Sequence, residues 1–255
     1  MRGLTDKIVI VAGGASGIGA AATRRLVDEG AAVMVGDLNE EGAEKLAAEL
    51  REIGGRVAAC GFNIADDESC ASLVAATVEA FGGVDGLFNV AADLSPRTFG
   101  RDGDLLEVPL DVWRRSLEVN LTGYFLTARH ALPVMLARGG GAIVNTISGR
   151  MLNGDPTLVA YGSSKSGVIA LSKHIATRWG KQGIRCNVVA PGFVLTEVAQ
   201  KTTSAESQAA IFEMLRSPRF GRPEDIAAAV SFLLSADGEW INGQVLPVNG
   251  GTGLR

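Results

Sequence analysis

Short apolar runs alternate with amphipathic stretches of helical period along the first third of the chain. Lys7 to Ala12 is followed by Gly17 to Glu29, Ala32 to Asp37 by Glu40 to Ile53, and Arg56 to Gly61 by Asp66 to Phe81. Runs such as Ile8-Val9-Ile10-Val11 lack polar alternation, the pattern of strands buried on both faces. Strands of that kind separated by helices predict a parallel sheet, doubly wound, with helices on both faces. Gly86 to Val90, Ala142 to Ile147, Ile184 to Ala190 and Gln244 to Val248 continue the series, so seven strands are expected. Long helical segments are expected near Leu110 to Ala137 and Thr157 to Gln182. A shorter one opens at Arg222-Pro223-Glu224-Asp225, where Pro suits the first turn.

Two segments break the pattern. Asp93 to Glu107 carries Pro96, Gly100, Gly103 and several charges, and reads as a loop after the fourth strand. Phe193 to Phe220 is rich in Ser, Thr and Gln yet holds Ile211, Phe212, Met214 and Leu215, which suits a loosely held helical flap. Both follow the carboxyl ends of strands, where open α/β sheets bind ligands.

Composition narrows the class. With 255 residues, 47% hydrophobic and 20% charged, the chain has apolar material for one large domain spanning 1–255 and no signature of disorder. A net charge of -4 and the absence of a long basic run argue against nucleic acid as a partner. No apolar stretch reaches spanning length and Met1 to Val11 lacks a signal-peptide pattern, so a cytoplasmic protein off the membrane is expected. Cys60, Cys70 and Cys186 form no C-x-x-C pair and read as small core residues. His130 and His174 stand alone in helical runs, so no metal site is expected.

The chemistry starts at the first strand, which runs into Gly13-Gly14-Ala15-Ser16-Gly17-Ile18-Gly19 and then a helix. Glycine permits a tight turn and close backbone approach, and the helix N-terminus offers N–H groups to a pyrophosphate. The G-x-x-x-G-x-G spacing taken alone also fits a bare strand-to-helix crossing. Asp37 ends the second strand 18 positions after Gly19, close to the spacing of about 20 for a carboxylate on a ribose 2′-hydroxyl. A carboxylate there repels a 2′-phosphate, and neither Ser16 nor Leu38 supplies a positive charge, which favours NAD over NADP. Farther on, Tyr161 and Lys165 are four apart in a helical segment and share its face. A free tyrosine has a pKa of about 10, and an adjacent ammonium favours its phenolate. Ser148 stands 13 positions before Tyr161 at the end of the fifth strand, and Asn120 lies in the preceding long helix.

With these residues in order, the chain resembles the classical short-chain dehydrogenase/reductase family over essentially its whole length. The family's glycine turn reads here as Gly13 to Gly19 and its acidic residue as Asp37. Its N-N-A-G segment reads as Asn89-Val90-Ala91-Ala92, its tetrad as Asn120, Ser148, Tyr161 and Lys165, and its P-G segment as Pro191-Gly192. The resemblance implies a Rossmann-type domain and hydride transfer between NAD and a secondary alcohol or ketone. It implies that Tyr161 exchanges the proton, Ser148 fixes the substrate oxygen, Lys165 holds the nicotinamide ribose and lowers the pKa of Tyr161, and Asn120 anchors a water. Cofactor contacts carried over with it are Asn63 and Ile64 around the adenine, Asn89 and Ala91, and Pro191, Val194 and Thr196 near the nicotinamide. It also implies a homotetramer. Ala12, Asn63, Val90 and Ala92 depart from the family's usual Thr, Asp, Asn and Gly, which bears on cofactor affinity rather than on proton transfer.

Candidate pocket positions are Asp93, Leu94, Tyr124, Arg150, Met151, Asn153, Phe193 and the flap through Leu215. They suit a cyclic alcohol, a steroid-like ring or a hydroxy acid, and the apolar ones equally suit ordinary core filling. The competing readings are an NADPH-linked ketone or 3-oxoacyl reductase, which Asp37 disfavours, and a dinucleotide-sensing protein without turnover, which the intact tetrad disfavours.

Overall fold

The computed structural model describes residues 1–152 and 154–253. Seven parallel strands form one sheet in the order β3-β2-β1-β4-β5-β6-β7. They are β1 Ile8–Ala12, β2 Ala32–Asp37, β3 Val57–Gly61, β4 Gly86–Asn89, β5 Gly141–Thr146, β6 Ile184–Pro191 and β7 Val245–Val248. The Val- and Ile-rich runs become the central strands because both of their faces are covered. Val9 and Val11 point into one core with Val33, Val35, Phe88 and Val144, while Ile10 points into the other with Met34, Leu87 and Ile143. This is the expected doubly wound, Rossmann-type architecture.

Helices α1 Gly17–Asp28, α2 Glu40–Glu52 and α9 Pro223–Leu234 cover the first core. Helices α3 Asp67–Phe81, α5 Gly123–Ala137 and α6 Val159–Trp179 cover the second. The strand order reverses at β1, which pairs with β2 on one side and β4 on the other. That reversal opens a crevice at the strands' carboxyl ends.

Two expected segments show detail that the sequence pattern does not carry. The helical segment expected over Leu110 to Ala137 is present without a break, but it is not α-helical throughout: α4 Leu110–Leu117 passes through a π-helical turn at Glu118–Thr122 before α5 begins. A wide turn of this kind accommodates a polar residue such as Asn120 inside an otherwise apolar helix pair and is frequent at functional sites. The expected flap resolves into two short helices, α7 Glu197–Thr202 and α8 Ala205–Met214, neither of which buries a residue. The loop over Asp93 to Glu107 contains one 3₁₀ turn, Phe99–Arg101. Cys70 and Cys186 are core residues as expected, whereas Cys60 is only half-buried. Among the described residues no helix is long and apolar enough to cross a membrane, and no cluster of His, Cys, Asp or Glu could hold a metal ion.

Candidate active site

Strand β1 ends at Ala12 and the chain turns through Gly13 to Ser16 before α1 begins. At two of its glycines no side chain fits. A Cβ on Gly13 would lie 2.6 Å from the Ala91 nitrogen, and one on Gly19 would lie 1.9 Å from the Gly13 carbonyl oxygen. Gly13 and Gly17 also hold φ values of 96° and 51°, in the left-handed region. Ser16, at the N-cap, is exposed and makes no side-chain cap, so no side chain competes with an anion for the first-turn amides. Thr196, just beyond β6, sets its methyl 3.3 Å from the position of a Gly17 Cβ. The turn, Ala91 and Thr196 therefore form a narrow cradle walled largely by backbone, a shape that fits a pyrophosphate.

Asp37 ends β2 with its carboxylate beside that cradle. It accepts the N–H of Ala15 at 2.9 Å and that of Asn39 at 3.0 Å. Leu38 projects into solvent, and Ile18 packs against the core on α1. Asn63 is turned back on its own segment, its side-chain oxygen accepting from the Ala65 N–H at 3.1 Å. Ile64 is buried beneath Gly123. Pro191 and Val194 are buried, with Val194 bridged to Gly221.

Asn89 ends β4. Its side chain is buried between the sheet and α5, donating to Asn145 Oδ1 at 2.9 Å and accepting from the Thr127 hydroxyl at 2.9 Å. Asn145 in turn donates to Ser172 Oγ at 2.9 Å. The alternation of side chains along β4 directs this amide into the core, where its task is to satisfy neighbouring buried polar groups.

The tetrad residues converge from three elements. Ser148 is two residues beyond β5, Tyr161 and Lys165 share one face of α6, and Asn120 sits in the π turn. Ser148 is close enough to the Tyr161 phenol to lower its pKa by hydrogen bonding, and the Arg150 charge acts in the same direction. Burial outweighs both and pushes the phenol up to about 12. Lys165 Nζ lies 5.9 Å from the Tyr161 ring centroid and donates to the Thr146 carbonyl at 3.0 Å and to Tyr124 Oη at 3.1 Å. Burial pushes this ammonium down to about 7. The expected depression of the tyrosine by its lysine does not set this phenol: burial raises it, only Ser148 and Arg150 lower it, and burial pushes the lysine itself down.

Asn120 uses one donor and one acceptor of its side chain within the protein. Its Oδ1 accepts from the Asp93 N–H at 3.2 Å and its Nδ2 donates to Ser164 Oγ at 3.3 Å. Ser164 also donates to the Tyr161 carbonyl at 2.7 Å, tying Asn120 to the tyrosine's helix. Sequence reasoning passed over Ser164, Asp102 and Phe99. The Asp102 carboxylate receives the N–H groups of Ala160 and Tyr161 at the start of α6, and the Phe99 ring meets that of Tyr161 edge-on with centroids 5.3 Å apart. Ser164 could have been found from its place between Tyr161 and Lys165. The other two sit on a distant loop with no sequence signal.

The candidate pocket residues separate. Met151 covers Gly162, beside Tyr161. Arg150 is exposed and paired with Asp155 at 2.6 Å. Asp93 binds Arg115 at 3.2 Å and Thr98 at 3.0 Å. Leu94 is exposed, whereas Tyr124 and Leu215 are buried. Phe193 stacks edge-on with Phe220 and lines a cavity of about 210 Å³ beneath the flap that includes no tetrad residue. Asn153 lies outside the described residues. His130 pairs with Asp67, and His174 packs against Trp179.

Comparison with known proteins defines the class. Residues 13–253 match the family model described as enoyl-(acyl carrier protein) reductase. The chain is 38% identical to 7alpha-hydroxysteroid dehydrogenase of Bacteroides fragilis over 98% of its length and 96% of that protein's. It is 35% identical to cyclohexanol dehydrogenase of Acinetobacter sp., over 96% and 94%. A solved 7 alpha-hydroxysteroid dehydrogenase complexed with NADH and 7-oxo glycochenodeoxycholic acid superposes with a TM-score of 0.91 at 29% identity, covering 99% of this chain and 97% of that one. The chain belongs to the short-chain dehydrogenase/reductase family.

Proposed function

We propose that this protein is an NAD-dependent oxidoreductase that interconverts a secondary alcohol and a ketone, with a cyclic alcohol, including the steroid-like kind, as the substrate class. The observation that carries the reading is the convergence of Ser148, Tyr161, Lys165 and Asn120 at the mouth of the crevice that holds the glycine cradle. Similarity to proteins named for hydroxysteroid and cyclohexanol substrates supports the substrate class.

The cradle of Gly13, Ser16, Gly17, Ile18 and Gly19 would hold the pyrophosphate, with Asp37 on the adenosine ribose and Thr196 on the nicotinamide side. The nicotinamide would supply the hydride acceptor and, when oxidised, a positive charge that favours the Tyr161 phenolate. Asp37 supports NAD over NADP, because its pinned carboxylate would face a 2′-phosphate with no Lys or Arg at Ala15, Ser16, Leu38 or Asn39 to offset the repulsion. In oxidation Tyr161 takes the hydroxyl proton of the substrate while Ser148 donates to its oxygen. In reduction Tyr161 returns the proton, a task for which a phenol held at about 12 is already protonated at neutral pH. Lys165 acts as an ammonium beside the ribose. The same reading takes the chain as one cytoplasmic domain that assembles as a homotetramer.

Reduced cofactor formation from cyclohexanol and from a 7alpha-hydroxy bile acid, with NAD and NADP in parallel, tests the reading. Turnover with NAD that collapses in Tyr161→Phe is expected. Equal or better turnover with NADP would overturn the cofactor assignment, and unchanged turnover in Tyr161→Phe would overturn the mechanism.

A further inference from the structure

Only two of the 255 residues are tyrosines, Tyr124 and Tyr161. One buried lysine lies near both rings, with Lys165 Nζ 4.6 Å from the Tyr124 centroid and 5.9 Å from that of Tyr161. Tyr124 is the second residue of α5, directly after the π turn, and no solvent reaches it. Its hydroxyl takes one N–H of Lys165 and the Thr146 carbonyl takes another. Among the described residues the third N–H has no protein acceptor.

An enclosed ammonium is costly unless its protons find acceptors. The groups that face Lys165 are Tyr124 from α5, the Thr146 carbonyl from β5 and Tyr161 from its own helix. None is a carboxylate, and burial is the only cause that shifts its pKa. The Tyr124 phenol oxygen and ring are therefore, beside the Thr146 carbonyl, what the protein offers to keep a charge there. Burial holds the Tyr124 phenol well above its ordinary pKa, so it stays neutral and does not compete with Tyr161 as a base.

We propose that Tyr124 is a positioning residue of the proton-handling site, holding Lys165 in the ammonium form with one N–H left for the crevice beside Tyr161. The proposal deepens the function stated above and rests on its assignment of Lys165 as an ammonium.

The test reads Lys165 directly. In the full-length, cofactor-free chain labelled with ¹³C at the lysine ε-carbons, only six resonances are present, and Lys165→Met identifies the one that belongs to Lys165. Tyr124→Phe, which keeps the ring and removes the acceptor, is expected to lower the Lys165 midpoint by about one pH unit, the size of one lost hydrogen bond to a charged group. An unchanged or higher midpoint would overturn the proposal. Should Tyr124→Phe fail to fold by circular dichroism, 3-fluorotyrosine in the otherwise unaltered chain replaces it, with Tyr161→Phe leaving a single fluorine resonance. That resonance is expected to move with the Lys165 midpoint, and a fluorine signal blind to it would sink the idea. With cyclohexanol and NAD as probe, Tyr124→Phe is further expected to lower kcat about tenfold while NADH affinity, read by fluorescence quenching, changes less. If the unsubstituted protein oxidises no alcohol, the functional reading fails while the lysine titration still decides the role of Tyr124.

Discussion

The Asp102 carboxylate accepts the backbone N–H of Tyr161 at 2.8 Å, across 59 positions of sequence. The same carboxylate takes the Ala160 N–H at 3.1 Å and that of Gly103 at 3.0 Å. Helix α6 has no cap of its own, because Leu158 at its N-cap is left-handed, with φ 57°, and makes no side-chain cap bond. The loop after β4 supplies the missing cap from a distance. Since Asp93, at the start of that loop, also bonds Asn120, one loop is strung between two tetrad residues.

Removing this remote cap should reach both stability and chemistry. Asp102→Ala is expected to lower the unfolding free energy by about 1 kcal/mol, as at other caps. It should also lower kcat more than it raises KM, because the helix end that carries Tyr161 loses two acceptors. Asp102→Asn, which retains one acceptor oxygen, should fall between the two. Urea titration and steady-state kinetics on the three proteins check this, and a kcat unchanged in Asp102→Ala would separate the loop from the tyrosine.

Cofactor choice should follow one carboxylate. Asp37→Ala removes the charge that would face a 2′-phosphate and also frees the Ala15 N–H. The ratio of kcat/KM for NAD over NADP is expected to fall at least about tenfold, the effect of about 1.4 kcal/mol. The fold should survive, since the carboxylate sits at a strand end. A ratio that stays put would mean that other groups select the cofactor.

Asn89 separates a binding role from a structural one. Its amide satisfies Asn145 and Thr127 between the sheet and α5, so Asn89→Ala strands buried polar partners. The expected loss of stability is about 1–3 kcal/mol, read by denaturant unfolding. NADH affinity measured well below the unfolding transition should change little.

How much was legible varies with the range of the interaction. The strands were read to within about one residue because runs such as Ile8–Ala12 and Ala32–Asp37 announce two-sided burial by themselves. The glycine turn and Asp37 were legible because a tight turn and a strand end are local. The π turn at Asn120 was hidden, since one polar residue in a helical pattern does not reveal its hydrogen-bond register. For Asn89 the sequence marks a strand end but not the direction of the side chain, which the pleat sends inward. Asp102, Phe99 and the Tyr124 contact to Lys165 join residues far apart in sequence, and no spacing rule connects them.

The buried lysine makes a prediction about stability whose sign follows from its titration. Lys165 is pushed down from the ordinary 10.5 to about 7, so between those values the unfolded chain holds a proton there that the folded chain releases. Stability therefore rises with pH across that window, and the penalty of enclosing the ammonium is fully present below about 7. Lys165→Met removes the penalty but leaves the Thr146 carbonyl and Tyr124 hydroxyl without their donor. The net expectation at neutral pH is a variant more stable by roughly 2 kcal/mol and devoid of activity, the trade expected of a functional group held in an unfavourable place. The gain should shrink as pH rises toward the ordinary lysine value, because the side chain then becomes neutral in the unfolded chain as well as the folded one and no charge is left to enclose. Urea unfolding of both proteins near neutrality and again near pH 10 measures the difference. A gain that does not depend on pH would mean that packing, rather than the enclosed charge, sets the stability of this site.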